Sequence, residues 1–160
     1  MATFIQGTAL RQMHFGNLVK KLAQVPPNSG SSATLFTVAG GMVMVTSLVG
    51  RVSTVLSGTT GAIALGTKPT VGTEETAGIS TAGVVGGAEV GSVVTAVKLT
   101  TGLAGAVQAN LFAGNAIGIS VIPFVVNAGI IEVTTSVATM TGAIDWYLNY
   151  VPLDDGASVS

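Results

Sequence analysis

A single histidine, His14, stands in a chain of 160 residues that has no cysteine. A two-histidine metal site or a histidine acid-base pair would therefore need residues from more than one subunit, and a Ser-His-Asp triad would have to use this one residue, which sits in the N-terminal arm. Disulfides and thiolate metal sites are absent for want of sulfur ligands. The simplest role for His14 is packing on a helix face against a neighbour. The carboxylates include two adjacent pairs, Glu74-Glu75 and Asp154-Asp155. Adjacent side chains on an extended chain point to opposite sides, which suits neither the facing acids of a glycosidase nor a metal clamp, so both pairs read as solvated turns. A calcium site from Asp154 or Asp155 with Glu132 is conceivable on ligand type, but no hand-type loop of alternating oxygen ligands accompanies it. Residues 58–61 (GTTG) and 83–87 (GVVGG) are glycine-rich, yet neither leads into a lysine-bearing helix, as a phosphate cradle requires. The sequence points to no catalytic residue, no metal and no cofactor.

Chemistry being sparse, composition carries more weight. Hydrophobic residues make up 48% of the chain and charged residues 8%, against a charged share of about 25% in ordinary soluble domains. So few charges cover an isolated surface poorly, and much of the exterior is expected to become interface in an oligomer or larger assembly. Residues 99–131 carry no charge at all. They are broken by Gly102, Gly105, Gly114, Gly118 and Pro123, whereas a spanning helix needs about twenty consecutive apolar residues. Residues 117–126 are rich in β-branched types that fit a pleated surface. Gly114 and Gly118 do match the small-xxx-small helix-pairing pattern, which keeps a small integral membrane protein as an alternative. The N-terminal residues have neither the basic start nor the apolar run of a secretory signal.

The formal net charge is -1, but the signs are segregated. Arg11, Lys20, Lys21, Arg51 and Lys68 precede every acid, and only Lys98 lies among the acids that follow. If folding keeps the two regions apart, the molecule is a dipole whose basic end suits an acidic partner surface; if folding interleaves them, the asymmetry vanishes. Lys20-Lys21 is the one basic pair and has no aromatic-interleaved stripe beside it, so nucleic-acid binding is not expected.

The elements that must position these residues read as all-β, an antiparallel β-sandwich or jelly-roll-like body with an N-terminal arm or short helix. Leu10, Met13, His14, Leu18, Val19 and Leu22 share a face at helical spacing, with Thr8 as an N-cap and Gly16 as a weak point. This divides the chain into an arm (1–24), a linker (25–33) opening on Pro26-Pro27, and a β-rich domain (34–160). Short runs separated by Gly, Thr and Ser place strands at 34–38, 42–48, 52–56, 62–65, 79–84, 93–99, 106–112, 117–124, 130–136 and 143–151. The last is the clearest: Ile144, Trp146, Leu148 and Tyr150 fall on one face and should enter the core, leaving Asp145, Tyr147 and Asn149 on the other. Residues 140–142 look like the turn of a C-terminal hairpin joining 130–136 to it. Residues 67–91 read as a long excursion of low complexity.

Three segments carry a resemblance. Residues 35–50 (LFTVAGGMVMVTSLVG), 66–74 (GTKPTVGTE) and 142–157 (GAIDWYLNYVPLDDGA) resemble small virion proteins of tailed double-stranded-DNA bacteriophages. The ending Trp-x-Leu-x-Tyr-x-Pro-Leu is the most distinctive part. Within that group the nearest functional analogy is the capsid decoration, or cement, proteins. These sit outside the head and clamp neighbouring major-capsid subunits after expansion; placement in the head is by analogy. The resemblance implies a non-enzymatic structural protein made in the host bacterial cytoplasm and located on the outer capsid surface. Its partners would be the major capsid protein and its own copies, in a homotrimer, with neither nucleic acid nor membrane bound. A tail or connector structural protein is the alternative within the same class. Residues 1–24 would supply the capsid or subunit contact, with Phe4, Leu10, Phe15 and Leu22 as apolar anchors and Arg11, Lys20 and Lys21 facing acidic partners.

Overall fold

A computed structural model describes residues 12, 16–58, 60–96, 107–109, 123–136 and 139–160. Among them the regular elements are strands: β1 (Asn17–Gln24), β2 (Ser32–Ala39), β3 (Val43–Thr54), β4 (Ala62–Pro69), β5 (Glu75–Val84), β6 (Val93–Ala96), β7 (Val107–Ala109), β8 (Phe124–Val126), β9 (Gly129–Ser136), β10 (Ala143–Pro152) and β11 (Ser158–Val159). The cause is local. Val, Ile and Thr alternate with small or polar residues, a period of two that buries one face of a pleated strand. In β10, Ile144, Trp146, Leu148 and Tyr150 are buried, while Asp145, Tyr147 and Asn149 between them are half-buried.

The strands form two antiparallel sheets, consistent with a sandwich. One has the order β1-β10-β3-β6-β7, with β8 pairing the start of β3; the other runs β11-β2-β9-β4-β5. The first supplies Val45, Leu48, Val52, Trp146 and Leu148 to the core, and the second supplies Leu35, Phe36, Ile63, Leu65, Ile131 and Val133. Removing each of the larger of these side chains from water is worth about 1.5–3 kcal/mol.

Several sequence expectations are corrected. The helical face at Leu18, Val19 and Leu22 does not form: residues 17–24 are strand β1, paired along β10 from Asn17↔Tyr150 to Gln24↔Ile144. The free edge of β10 offers backbone partners that an isolated helix turn lacks. The end of the proposed arm is thus part of the sheet. The proline segment is likewise not a loose hinge, because Gly30 N donates to Thr135 O and Thr135 N to Ser31 O, stitching it to β9. Runs 42–48 and 52–56 merge into the single strand β3. Gly50, which separates them in sequence, is the seat of the indole: a Cβ there would lie 2.8 Å from Ile144 Cγ2 and 3.0 Å from Trp146 Cζ3.

The C-terminal hairpin is absent as well. β9 pairs with β2 and β4, β10 with β1 and β3, so residues 139–142 cross between sheets. Met140 plugs this crossing, buried against Gly61, where a Cβ would come within 2.1 Å of Met140 Sδ. The low-complexity excursion at 67–91 contains β5, which folds back on β4. Of the run 106–112 the described part is β7, and of 117–124 only the last two residues lie among the described ones.

Candidate interaction surface

β1 is the edge of its sheet. Val19 points inward and packs on the core, while Leu18 and Leu22 are 51% and 62% exposed and Lys20 and Lys21 are exposed. The strand is held in place by its ladder to β10, which a bulge interrupts between Lys21 and Gln24. Within the bulge Ala23 takes a φ of 51°, and its N–H donates to Asp145 Oδ1 at 2.8 Å. A positive φ is strained for alanine, and the charged acceptor stabilises it. The bulge ends regular pairing and turns Leu22 outward, a common device at sheet edges.

Beside the lysines, the outer face of β10 contributes Tyr147, whose ring centroid lies 5.6 Å from Lys20 Nζ. That cation–π contact, worth about 0.5–1 kcal/mol at an exposed site, holds the ammonium on the sheet surface. Asn149 Nδ2 donates to Ser47 Oγ at 2.7 Å on the same face. Arg51 of β3 stands in register with Asp145. The surface therefore combines exposed leucines, two lysines that have no ion-pair partner among the described residues, and a tyrosine platform. Lys20, Lys21 and Leu22 of the expected contact lie together here; Phe4, Leu10, Arg11 and Phe15 fall outside the described residues, as does His14. The sequence reading missed Leu18, Tyr147 and Asp145 as members of this surface. The alternation in 143–151 had put Tyr147 and Asp145 on one outer face, but nothing in the sequence named β1 as the strand beside them.

Several of the groups that could do chemistry have structural roles. Glu74 Oε2 pairs with Lys68 Nζ at 2.6 Å. The hydrogen bond and charge of Glu74 raise the Lys68 pKa above its ordinary 10.5, outweighing desolvation, and the charge of Glu132 adds a smaller pull in the same direction. Asp154 Oδ2 accepts from Met42 N at 2.7 Å, which ties the turn after β10 to the start of β3. Glu132 is 2% exposed in the middle of the second sheet, and its Oε1 has no hydrogen-bond partner. Among the described residues no three His, Cys, Asp or Glu side chains group as a metal site, so Asp154, Asp155 and Glu132 are not assembled into one. The amides of the glycine turn are spent internally: Val85 N and Gly86 N donate to Gly61 O, and Gly87 N to Leu56 O. Those N–H groups are not free to cradle a phosphate. No helix among the described residues is long and apolar enough to cross a membrane.

No protein family, curated protein or solved structure matches this chain.

Proposed function

We propose that the chain is a non-enzymatic virion structural protein, a head decoration or cement protein of a tailed bacteriophage that binds the outer surface of the major-capsid shell and stabilises it. The β1 face is the attachment surface, joining the body to a neighbouring protein in the particle. The observation that carries this reading is an ordered edge strand bearing Leu18 and Leu22, both more than half exposed, beside the exposed Lys20 and Lys21. Exposed leucines on a free sheet edge are an aggregation hazard for a lone molecule and an asset for one that is always bound. Low charge and the resemblance at residues 35–50, 66–74 and 142–157 support the same reading. Attachment to a repeating shell needs many modest contacts, and multivalent binding raises avidity without catalytic machinery.

The test is co-sedimentation with expanded shells of the phage that encodes the protein. Wild type should pellet with shells to a saturating ratio and raise their resistance to heat. Leu18→Asp/Leu22→Asp should lose this while keeping its far-ultraviolet circular dichroism. Absence of wild-type binding to shells would overturn the proposal.

A further inference from the structure

The strand registers define a second surface at one end of the sandwich. β3 begins where β10 finishes, with Val43 opposite Pro152, and β9 begins where β4 finishes, with Gly129 opposite Pro69. The turns at 40–42 and 153–157 lie at this end. Met42 and Leu153 are 39% and 48% exposed there, joined by a 3.0 Å hydrogen bond from Leu153 N to Met42 O. Asp155 is exposed beside them. Asp154 is committed to Met42 N, so Asp155 is the acid left free to face outward.

We propose that the β1 edge recognises this end of the sandwich on a second copy of the chain, giving a head-to-tail contact. Leu18 and Leu22 of one copy cover Met42 and Leu153 of the next, and Lys20, on the same side of β1 as the leucines, faces Asp155. The inference rests on the reading of β1 as the attachment surface and names its partner. Charge complementarity selects the occupant. Within the described residues the lysines and Asp155 have no ion-pair partner; the pairing there is Lys68 with Glu74. A symmetric β1-to-β1 pairing would set lysines against lysines, which is unfavourable across strands. A heterologous contact sets unlike surfaces together and repeats from copy to copy. The sign segregation along the sequence thereby acquires a use: the basic early strand of one molecule meets the acidic late turn of another.

Size-exclusion chromatography with light scattering on the full-length chain tests this. Wild type should run above monomer mass and dissociate as salt rises, since the lysine–aspartate attraction is screened. Lys20→Glu/Lys21→Glu and, separately, Asp155→Lys should each weaken association on the order of tenfold or more. An equimolar mixture of the two variants should restore it, because the reversed edge of one then meets the reversed end of the other. Circular dichroism confirms that each variant folds, and Leu153→Ser gives a charge-independent check in the same direction. A wild type that stays monomeric, variants that associate as wild type does, or a mixture that fails to recover would each overturn the contact. A monomeric wild type that still binds shells would overturn it while leaving the proposed function standing. An oligomer that ignores shells would do the reverse.

Discussion

Trp146 and Gly50 form one unit at the residue scale. The indole is fully buried, and the missing side chain of Gly50 on the neighbouring strand leaves the space that its ring edge fills. Trp146→Ala should therefore destabilise by about 3–5 kcal/mol, through lost transfer energy and a cavity the flanking strands cannot close. Urea denaturation measures it, and a loss below about 1 kcal/mol would mean that the indole is not the centre of the packing. Glu132 is the opposite case. It is buried between Thr34 and Gly66 of the flanking strands with Oε1 unpartnered, and Thr134 Oγ1 and Ser136 Oγ, on the same face of β9, lack partners too. Lys68, whose ammonium feels the Glu132 charge, is committed to Glu74. A buried carboxyl oxygen without a hydrogen-bond partner is costly to keep, so the near-isosteric Glu132→Gln should leave stability unchanged or raise it. A loss above about 1 kcal/mol in the same denaturation experiment would show that the carboxylate has a stabilising partner.

At the scale of elements, β1 alters what a truncation does. Removing residues 1–24 takes away an eight-residue strand and uncovers the edge of β10, the strand that carries Trp146. The shortened chain should unfold at lower temperature and self-associate through the bared edge, read by thermal melts and light scattering. A truncated chain as stable and monodisperse as the full one would contradict the role given to β1.

How far such elements were legible in the sequence depended on whether a local signal existed. The period-two pattern of β10 needs only its own ten residues, and its apolar set is the buried set. β1 was obscured because Leu18, Val19 and Leu22 fit a period of 3.6, whereas the long-range ladder to β10 makes a strand with Val19 inward and Leu18 and Leu22 outward. Gly50 read as a break because the reason for it, the ring of Trp146, lies 96 residues away by number (146 minus 50). Residues 140–142 carried turn chemistry but no sign of which sheet each flanking strand joins. The interaction surface was half visible for the same reason: Lys20, Lys21 and Leu22 stand out by type, while Tyr147 and Asp145 join them only through the register.

At the scale of the whole molecule, folding both mixes and separates the charges. Lys68 meets Glu74, so part of the sequence asymmetry is neutralised, and Arg51 comes into register with Asp145. Among the described residues the lysines of β1 and the exposed acids Glu89 and Asp155 have no ion-pair partner. With so few charges in all, those that stay free are the ones able to orient a neighbour. Together with exposed leucines and a glycine turn whose amides are already used, these features fit the proposed role of a body held in an assembly.

The most direct measurement of that claim is binding to expanded capsid shells, followed by sedimentation and imaging of the pelleted particles. The account predicts saturable attachment of the wild-type protein at regular positions on the outer shell surface, lost when Leu18 and Leu22 become aspartate. Shells that remain bare at saturating wild-type protein would contradict it.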